Sequence, residues 1–382
     1  MAALLFNSLE IRRFRAFQHL RIEKLGRVNL IVGKNNVGKS CLLEALQVYA
    51  NRAHPSFLWQ ILDAHDQDTR PAVDSPDHYG DELFSSVKKL FHGWPEMTGS
   101  VEPIEIGPIG SSDATLRLSL EWYVNTNNGT QQATPQISSS EEHSHSEHAL
   151  PHFSVQLGAS HTVVYPLEIS PGSEALKSEI PPLTCLFTNG HGLNKRKVSE
   201  LWDHTASPDL RQEVIRALCI LASGVEDIDI VEDMRNTNRE RFPVITVASI
   251  PEALPIRVLG SGMQQMLSIA LSLMNAKDGL LLIDEIGHEL HYAAQFELWQ
   301  LIFEMSHRLN IQVFATTHSW DSVLAFQQAL KAVTQDSELS TQEDEQAEAM
   351  LIRLSFKKGD VRAVLYDEPM LTNEDTWDIE VR

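Results

Sequence analysis

The octapeptide Gly33-Lys34-Asn35-Asn36-Val37-Gly38-Lys39-Ser40 lies between the apolar run VNLIV and a stretch with apolar residues at Leu42, Leu43, Leu46, Val48 and Tyr49. The run before it reads as a short buried strand, and the three-to-four spacing after it predicts a helix. Strand, glycine loop and helix in this order restrict the fold more than any other feature of the chain. The glycines let successive backbone N–H groups face inward around a phosphate, and the following helix aims its positive end at the same anion. Gly33, Asn35, Asn36, Val37, Gly38, Lys39, Ser40 and Cys41 are therefore the expected nucleotide-contacting residues. Lys39 would bridge the β- and γ-phosphates as a catalytic group, and the Ser40 hydroxyl would ligate Mg2+.

A second apolar run, Leu280-Leu281-Leu282-Ile283, ends in Asp284-Glu285. The carboxyl end of a parallel strand is where α/β sheets place ligands. Asp284 is expected to hold Mg2+ through its water shell, and Glu285 to orient and deprotonate an attacking water. Adjacent strand residues point to opposite sides, which would divide these tasks between the two acids. An isolated acid pair also occurs as a plain strand cap; beside a phosphate loop the catalytic reading is preferred. A third strand-like run, Val313-Phe314-Ala315-Thr316-Thr317, leads to His318, whose imidazole could contact a γ-phosphate and sense its loss.

Composition bounds the rest. Lys and Arg number 31 against 52 Asp and Glu, a formal charge of −21. Such a surface repels nucleic acid at long range, although a local basic groove remains compatible with it. Apolar residues make up 42% of the chain. No apolar run approaches 18 residues, so no membrane span is expected. The N-terminus lacks the charged and apolar regions of a signal peptide. Cys41, Cys185 and Cys219 lie far apart with no CxxC pair, arguing against disulfides and structural zinc and for a reducing cytoplasm.

Along the chain, residues 1–60 form a strand-rich lobe carrying the phosphate loop, and 61–200 read as a β-rich insertion. Within the insertion, Leu83–Phe91 looks helical, Thr115–Tyr123 looks like a strand, and the Ser/Gln/Asn-rich stretch 125–150 is expected to be a mobile loop. Residues 201–330 contain helical Leu201–Asp227, strand-like Ile228–Val247, a buried helix at Leu267–Asn275 and an amphipathic helix at Ala293–Leu309. An acidic loop at 331–350 precedes a terminal β segment at 351–382. The class is α/β, two halves of one core flanking an insertion.

These motifs resemble the ABC ATPase heads of the SMC/RecF/OLD group, and most of all compact OLD-like ATPases, also called AAA-family. The resemblance covers about 1–50 and 255–325, extends to 351–382 and leaves 60–200 outside. It implies an ABC-type P-loop ATPase head with an N-terminal antiparallel β subdomain, a mostly parallel core sheet and a helical signature subdomain. In that group an LSGGQ-like signature precedes the acid pair by about twenty residues, where this chain has Gly260-Ser261-Gly262-Met263-Gln264-Gln265. The resemblance implies that Ser261, Gly262 and Gln264 contact the γ-phosphate bound by a second copy of the chain; alone, the string also reads as a helix-capping turn. Phe14-Arg15-Ala16-Phe17 is similar to the group's FRxF opening, which implies a place for Arg15 near the nucleotide.

The implied activity is hydrolysis of ATP with Mg2+ by a head-to-head homodimer, as the sensor or regulatory subunit of a prokaryotic defence or DNA-maintenance system. Its effector, a Toprim-like or other nuclease, would be a separate chain, because the 63 residues after Ser319 are too few for a Toprim domain. The alternative is a RecF-like DNA-binding repair clamp acting without a nuclease. Long coiled coils and a CxxC hook are lacking, and Glu289 stands where the group often has glycine. No Q-loop glutamine is recognisable.

Three further features are read as structural. His143, His145, His148 and His152 fall in a Ser/Glu-rich stretch and read as a solvated loop more readily than as a metal site. Lys195-Arg196-Lys197 reads as an exposed turn, and Phe296, Trp299 and Phe303 as core packing.

Overall fold

The apolar strands sit in a sheet covered on both faces, which is why they show continuous apolar runs rather than alternation. The computed structural model describes residues 4–64, 86–95, 101–124, 136–137, 149–159, 161–166, 180–233, 240–336, 348–357 and 359–372. The chain opens with β1 (Leu9–Phe14), β2 (Phe17–Ile22), β3 (Val28–Val32), α1 (Lys39–Ala50) and α2 (Pro55–Ala64). Then come β4 (Ile104–Gly107), β5 (Leu116–Val124), β6 (Gln136–Ile137), β7 (Ala149–Leu157), β8 (His161–Pro166) and β9 (Cys185–Thr188). A middle group contains α3 (Lys195–His204), α4 (Pro208–Cys219), β10 (Val225–Glu232), β11 (Arg241–Val247), β12 (Ile250–Pro255) and α5 (Ser261–Asn275). The last elements are β13 (Leu280–Ile283), α6 (Tyr292–Arg308), β14 (Gln312–Thr316), α7 (Trp320–Asp336), β15 (Ala349–Lys357), β16 (Asp360–Asp367) and α8 (Glu368–Thr372).

The central sheet has the order β16-β15-β3-β14-β13-β9. All its neighbours are parallel except the β15–β16 hairpin. Successive residues of each strand feed opposite cores, as the two-residue period demands. Leu30, Leu281, Ile283, Val313 and Ala315 face the helical side with Met266, Trp299, Phe303 and Phe326. Ile31, Leu280, Leu282 and Phe314 face Leu42 and Leu46 of α1 and the N-terminal strands. Trp299 packs edge-on against Phe326 at 4.9 Å between ring centres, core packing as the helical spacing suggested.

The second sheet is antiparallel, in the order β2-β1-β4-β5-β7-β8 with β6 on β5. Strands β4 to β8 thus extend the sheet begun by β1 and β2; Glu10 pairs with Gly107 across the join. The region read as an insertion is therefore continuous with the N-terminal lobe. A third antiparallel sheet, β10-β11-β12, packs with α3, α4 and α5. The described helices are short, the longest being α6 and α7 at 17 residues each, and none is long and apolar enough to cross a membrane. The architecture is the mixed α/β fold, with an antiparallel N-terminal sheet and a mostly parallel core sheet, that the motifs implied.

Several boundaries differ from those the sequence suggested. Leu201–Asp227 is not one helix: Pro208 starts a new one at its first turn, where a missing N–H costs nothing, and β10 begins at Val225. Of Leu83–Phe91, residues 86–90 are helical and 83–85 lie outside the described residues. Residues 331–336 finish α7, and 337–347 lie outside the described residues. Within 125–150, only 136–137 and 149–150 are described, in each case as strand. The terminal β segment pairs in parallel with β3, Leu351 opposite Leu30, and so belongs to the core sheet rather than following it.

Candidate nucleotide site

The carboxyl ends of β3, β14 and β13 lie side by side, so the segments leaving them meet at one edge of the sheet. The phosphate loop leaves β3 with Gly33 at φ +142° and Gly38 at +95°, backbone that L side chains rarely adopt. Packing forbids a Cβ as well: at Gly33 it would lie 2.4 Å from the Leu354 carbonyl oxygen, and at Gly38 2.9 Å from the Phe17 ring. Helix α1 begins at Lys39 with neither a side-chain cap nor an acid in its first turn. Its terminal N–H groups are left for an anion. Lys34, Asn35 and Asn36 are exposed and Val37 is buried, so the loop presents backbone outward while Val37 anchors it.

The Lys39 ammonium folds back to donate to the carbonyls of Gly33 (2.7 Å) and Lys34 (3.0 Å). Burial lowers its pKa, and the negative charges of Asp284 and Glu285 oppose that shift. Ser40 Oγ donates to Asp284 Oδ2 at 2.9 Å. A hydroxyl and a carboxylate converging in this way form a hard-oxygen donor pair of the kind Mg2+ takes, so these residues fit the cation. Among the described residues no group of three or more His, Cys, Asp and Glu is arranged to hold a metal by itself.

Asp284 and Glu285 lie just past the last paired residue of β13, and Glu285 is left-handed at φ +56°. What separates the two carboxylates is therefore a turn, not strand alternation. The Glu285 carboxylate is half exposed, and its Oε1 lies 3.9 Å from His318 Nδ1. His288 joins them, its ring 5.7 Å from that of His318. A cavity of about 240 Å³ opens here, lined by Glu285, Gly287, His288, Thr317, His318 and Asp321 among others.

Ser261, Gly262 and Gln264 open α5, which lacks a side-chain cap or first-turn acid. Within one chain they group with the loop after the acids. Ser261 Oγ donates to Glu289 Oε2 at 2.7 Å, and a Cβ on Gly262 would meet the Glu289 carbonyl at 2.7 Å. Gln264 is exposed. Arg15 is ion-paired with Glu44 of α1, 2.8 Å apart, with both side chains largely buried. Cys41 is tucked beside it, its thiol pushed up to about 11 mainly by burial.

Four groups carry site geometry that motif reading missed. Thr316 Oγ donates to Asp284 Oδ1 (2.5 Å) and accepts from the Glu285 N–H (2.9 Å). Buried Gln265 donates to the Glu285 carbonyl (3.4 Å) and accepts from the Glu289 N–H (3.3 Å), tying α5 to the acid turn. His288 and the loop Asn189–His191 also border Glu285; a Cβ on Gly190 would come 3.2 Å from Glu285 Cβ. Thr316 stands two residues before His318, a signal available in the sequence. The others depend on strand order. Of the histidine cluster, His143, His145 and His148 lie outside the described residues and His152 lies in β7. Lys195-Arg196-Lys197 begins α3 rather than forming a turn, with Lys195 paired to Glu240 and Lys197 to Glu200.

Comparison with known proteins places two family profiles on this core. Residues 6–93 match "AAA ATPase domain", and residues 228–325 match "AAA domain, putative AbiEii toxin, Type IV TA system". An ATP/GTP phosphatase of Helicobacter pylori is 22% identical over 355 residues, covering 86% of this chain and 89% of its own. An uncharacterised protein of Methanocaldococcus jannaschii is 42% identical over 45 residues, 12% of this chain and 20% of that one. Among solved structures, an SMC head bound to the C-terminal winged-helix domain of ScpA aligns with a TM-score of 0.47 at 12% identity, over 94% of this chain and 97% of that one. The SMC head of Thermotoga maritima aligns at 0.41 with 12% identity, over 94% and 98%. The profiles fall on separate parts of the chain, the first containing the glycine loop and the second Asp284, Glu285 and His318, and together these matches support an ATPase of the AAA/ABC type.

Proposed function

We propose that the chain is the head of an ATP-dependent homodimer, with two nucleotides held between subunits and each phosphate loop facing the partner's Ser261–Gln264 segment. The observation that carries the nucleotide site is the hydrogen bond between Ser40 and Asp284, 244 residues apart in sequence, with Lys39 beside both acids. Lys39 and the loop N–H groups would hold the β- and γ-phosphates, and Ser40 with Asp284 would hold Mg2+. When bound, Mg2+ neutralises charge developing on the phosphate oxygens. The Glu285 carboxylate orients the attacking water and takes its proton, and His318 contacts the γ-phosphate end. The free N-terminus of α5 supports the signature role: it offers N–H groups to an anion supplied from outside its own chain. ATP would complete the interface and hydrolysis would loosen it.

In this reading the chain is OLD-like, a sensor or regulatory subunit of a defence or DNA-maintenance system whose nuclease is a separate polypeptide. Support comes from the matched profile that names a toxin of a type IV toxin–antitoxin system, and from the phosphatase name of the Helicobacter relative. The test compares two variants. Lys39→Ala should abolish tight ATP binding. Glu285→Gln should bind ATP, elute as a dimer and hydrolyse on the order of 10²–10⁴-fold more slowly. Wild-type turnover by Glu285→Gln would remove the base assignment, and a monomer at saturating ATP would remove the dimer. Tight binding of that dimer to duplex DNA, weakening steeply with salt, would replace the sensor reading with a RecF-like clamp; the −21 charge argues against that outcome.

A further inference from the structure

We propose that Thr316 is the positioning residue of the hydrolytic centre, one buried hydroxyl that sets the carboxylate of Asp284 and the backbone of Glu285 together. Thr316 closes β14 and is fully buried. A hydroxyl has one proton to give and lone pairs to accept with. The Glu285 N–H can only donate, so the Thr316 proton must go to Asp284 Oδ1, and no other assignment satisfies both contacts. The Thr316 carbonyl also accepts from the Ile286 N–H at 2.9 Å. Three successive residues of the acid turn are thus tied to one residue of the neighbouring strand.

Two consequences follow for the chemistry. With Oδ1 engaged, Asp284 presents Oδ2, the oxygen already at Ser40, so the carboxylate cannot rotate freely away from the cation ligands. Glu285 sits at φ +56°, a conformation that a residue with a Cβ adopts only when its surroundings hold it there. The bond from its N–H to Thr316 is one such restraint, and it directs the side chain toward His318. Thr316 is fully buried, and its hydroxyl acts through the two acids.

The proposal rests on the roles assigned above to Asp284 and Glu285, so the experiment carries its own control. ATP turnover is measured against Mg2+ concentration for the full chain and for Thr316→Val, Thr316→Ser, Asp284→Asn and the Thr316→Val/Asp284→Asn pair. Thr316→Val keeps the shape and removes both hydrogen bonds. It should raise the Mg2+ concentration for half-maximal turnover about 10–100-fold, as loss of a ligand's orienting partner does. It should also lower kcat more than it raises KM for ATP. Thr316→Ser keeps the hydroxyl and should restore both to within a few-fold of wild type. In the Asp284→Asn background the valine should change the Mg2+ requirement little further, because partners acting as a unit are not additive.

A merely structural threonine would lower the melting temperature without moving the Mg2+ requirement, and that result would overturn the proposal. If Thr316→Val does not fold, Thr316→Ala is measured the same way, with the same outcomes decisive. If Asp284→Asn itself leaves Mg2+ dependence and turnover unaltered, the acid-pair reading is what fails, and the positioning role falls with it.

Discussion

Ser40 Oγ and Asp284 Oδ2 lie 2.9 Å apart, joining the start of the phosphate-loop helix to the end of the strand that carries the acids. The contact exists because β14 lies between β3 and β13 and all three run in parallel. Groups that ligate one cation act as a unit, and their losses do not add. Ser40→Ala and Asp284→Asn should each reduce Mg2+-supported turnover on the order of 10²-fold or more. The double variant should fall little below the worse single one. Steady-state kinetics on the three variants check this; multiplicative losses would separate the two residues.

The Ser261–Glu289 hydrogen bond makes a second prediction. In the proposed dimer, a carboxylate beside the Ser261 hydroxyl would oppose the approach of a triphosphate, so Glu289 would have to turn away before Ser261 could reach the other subunit's nucleotide. Glu289→Gln removes the charge while keeping the side chain's length. It should lower the ATP concentration at which dimers form, by up to about tenfold, roughly 1.4 kcal/mol. Ser261→Ala should raise it. Sedimentation velocity across an ATP series reads both, and an unchanged midpoint in Glu289→Gln would refute the opposing role.

Arg15 and Glu44 form an ion pair with both side chains nearly buried, at 9% and 10% exposure. Breaking a nearly buried ion pair by removing one member costs up to about 3–5 kcal/mol. Arg15→Met should therefore shift the urea midpoint strongly downward. Arg15→Met/Glu44→Leu should recover much of the loss, since neither charge then has to be desolvated. If Arg15 served the nucleotide alone, its substitution would weaken ATP binding while the unfolding midpoint held.

Burial pushes the Cys185 thiol up to about 12 and that of Cys41 to about 11, from an ordinary 9.0. Both stay protonated at pH 8, so iodoacetamide should label neither until the protein is denatured. The sign of the linked stability follows: above pH 9 the unfolded chain ionises these thiols while the folded one does not. Stability should decline as pH rises from about 9 toward 11, and less steeply in Cys185→Ala. Denaturant titrations at several pH values measure the slope.

The glycine loop after β3, the acids after β13, the start of α5 and the end of β14 were legible in the sequence because each is a contiguous backbone feature. A strand must end, a glycine must take positive φ, or a helix must begin, and local residue types dictate these events. Apolar runs likewise announced the strands buried on both faces. Partnerships across strands were not legible. Glu285 N–H meets Thr316 because parallel pairing sets Ile283 opposite Ala315, and β15 joins the core because Leu351 falls opposite Leu30. The turn at Glu285, the Ser261–Glu289 contact and the burial of Arg15 against Glu44 have the same origin. Local chemistry wrote which groups this protein carries. The order and register of its strands, set by burying apolar surface over the whole chain, decided which of them touch.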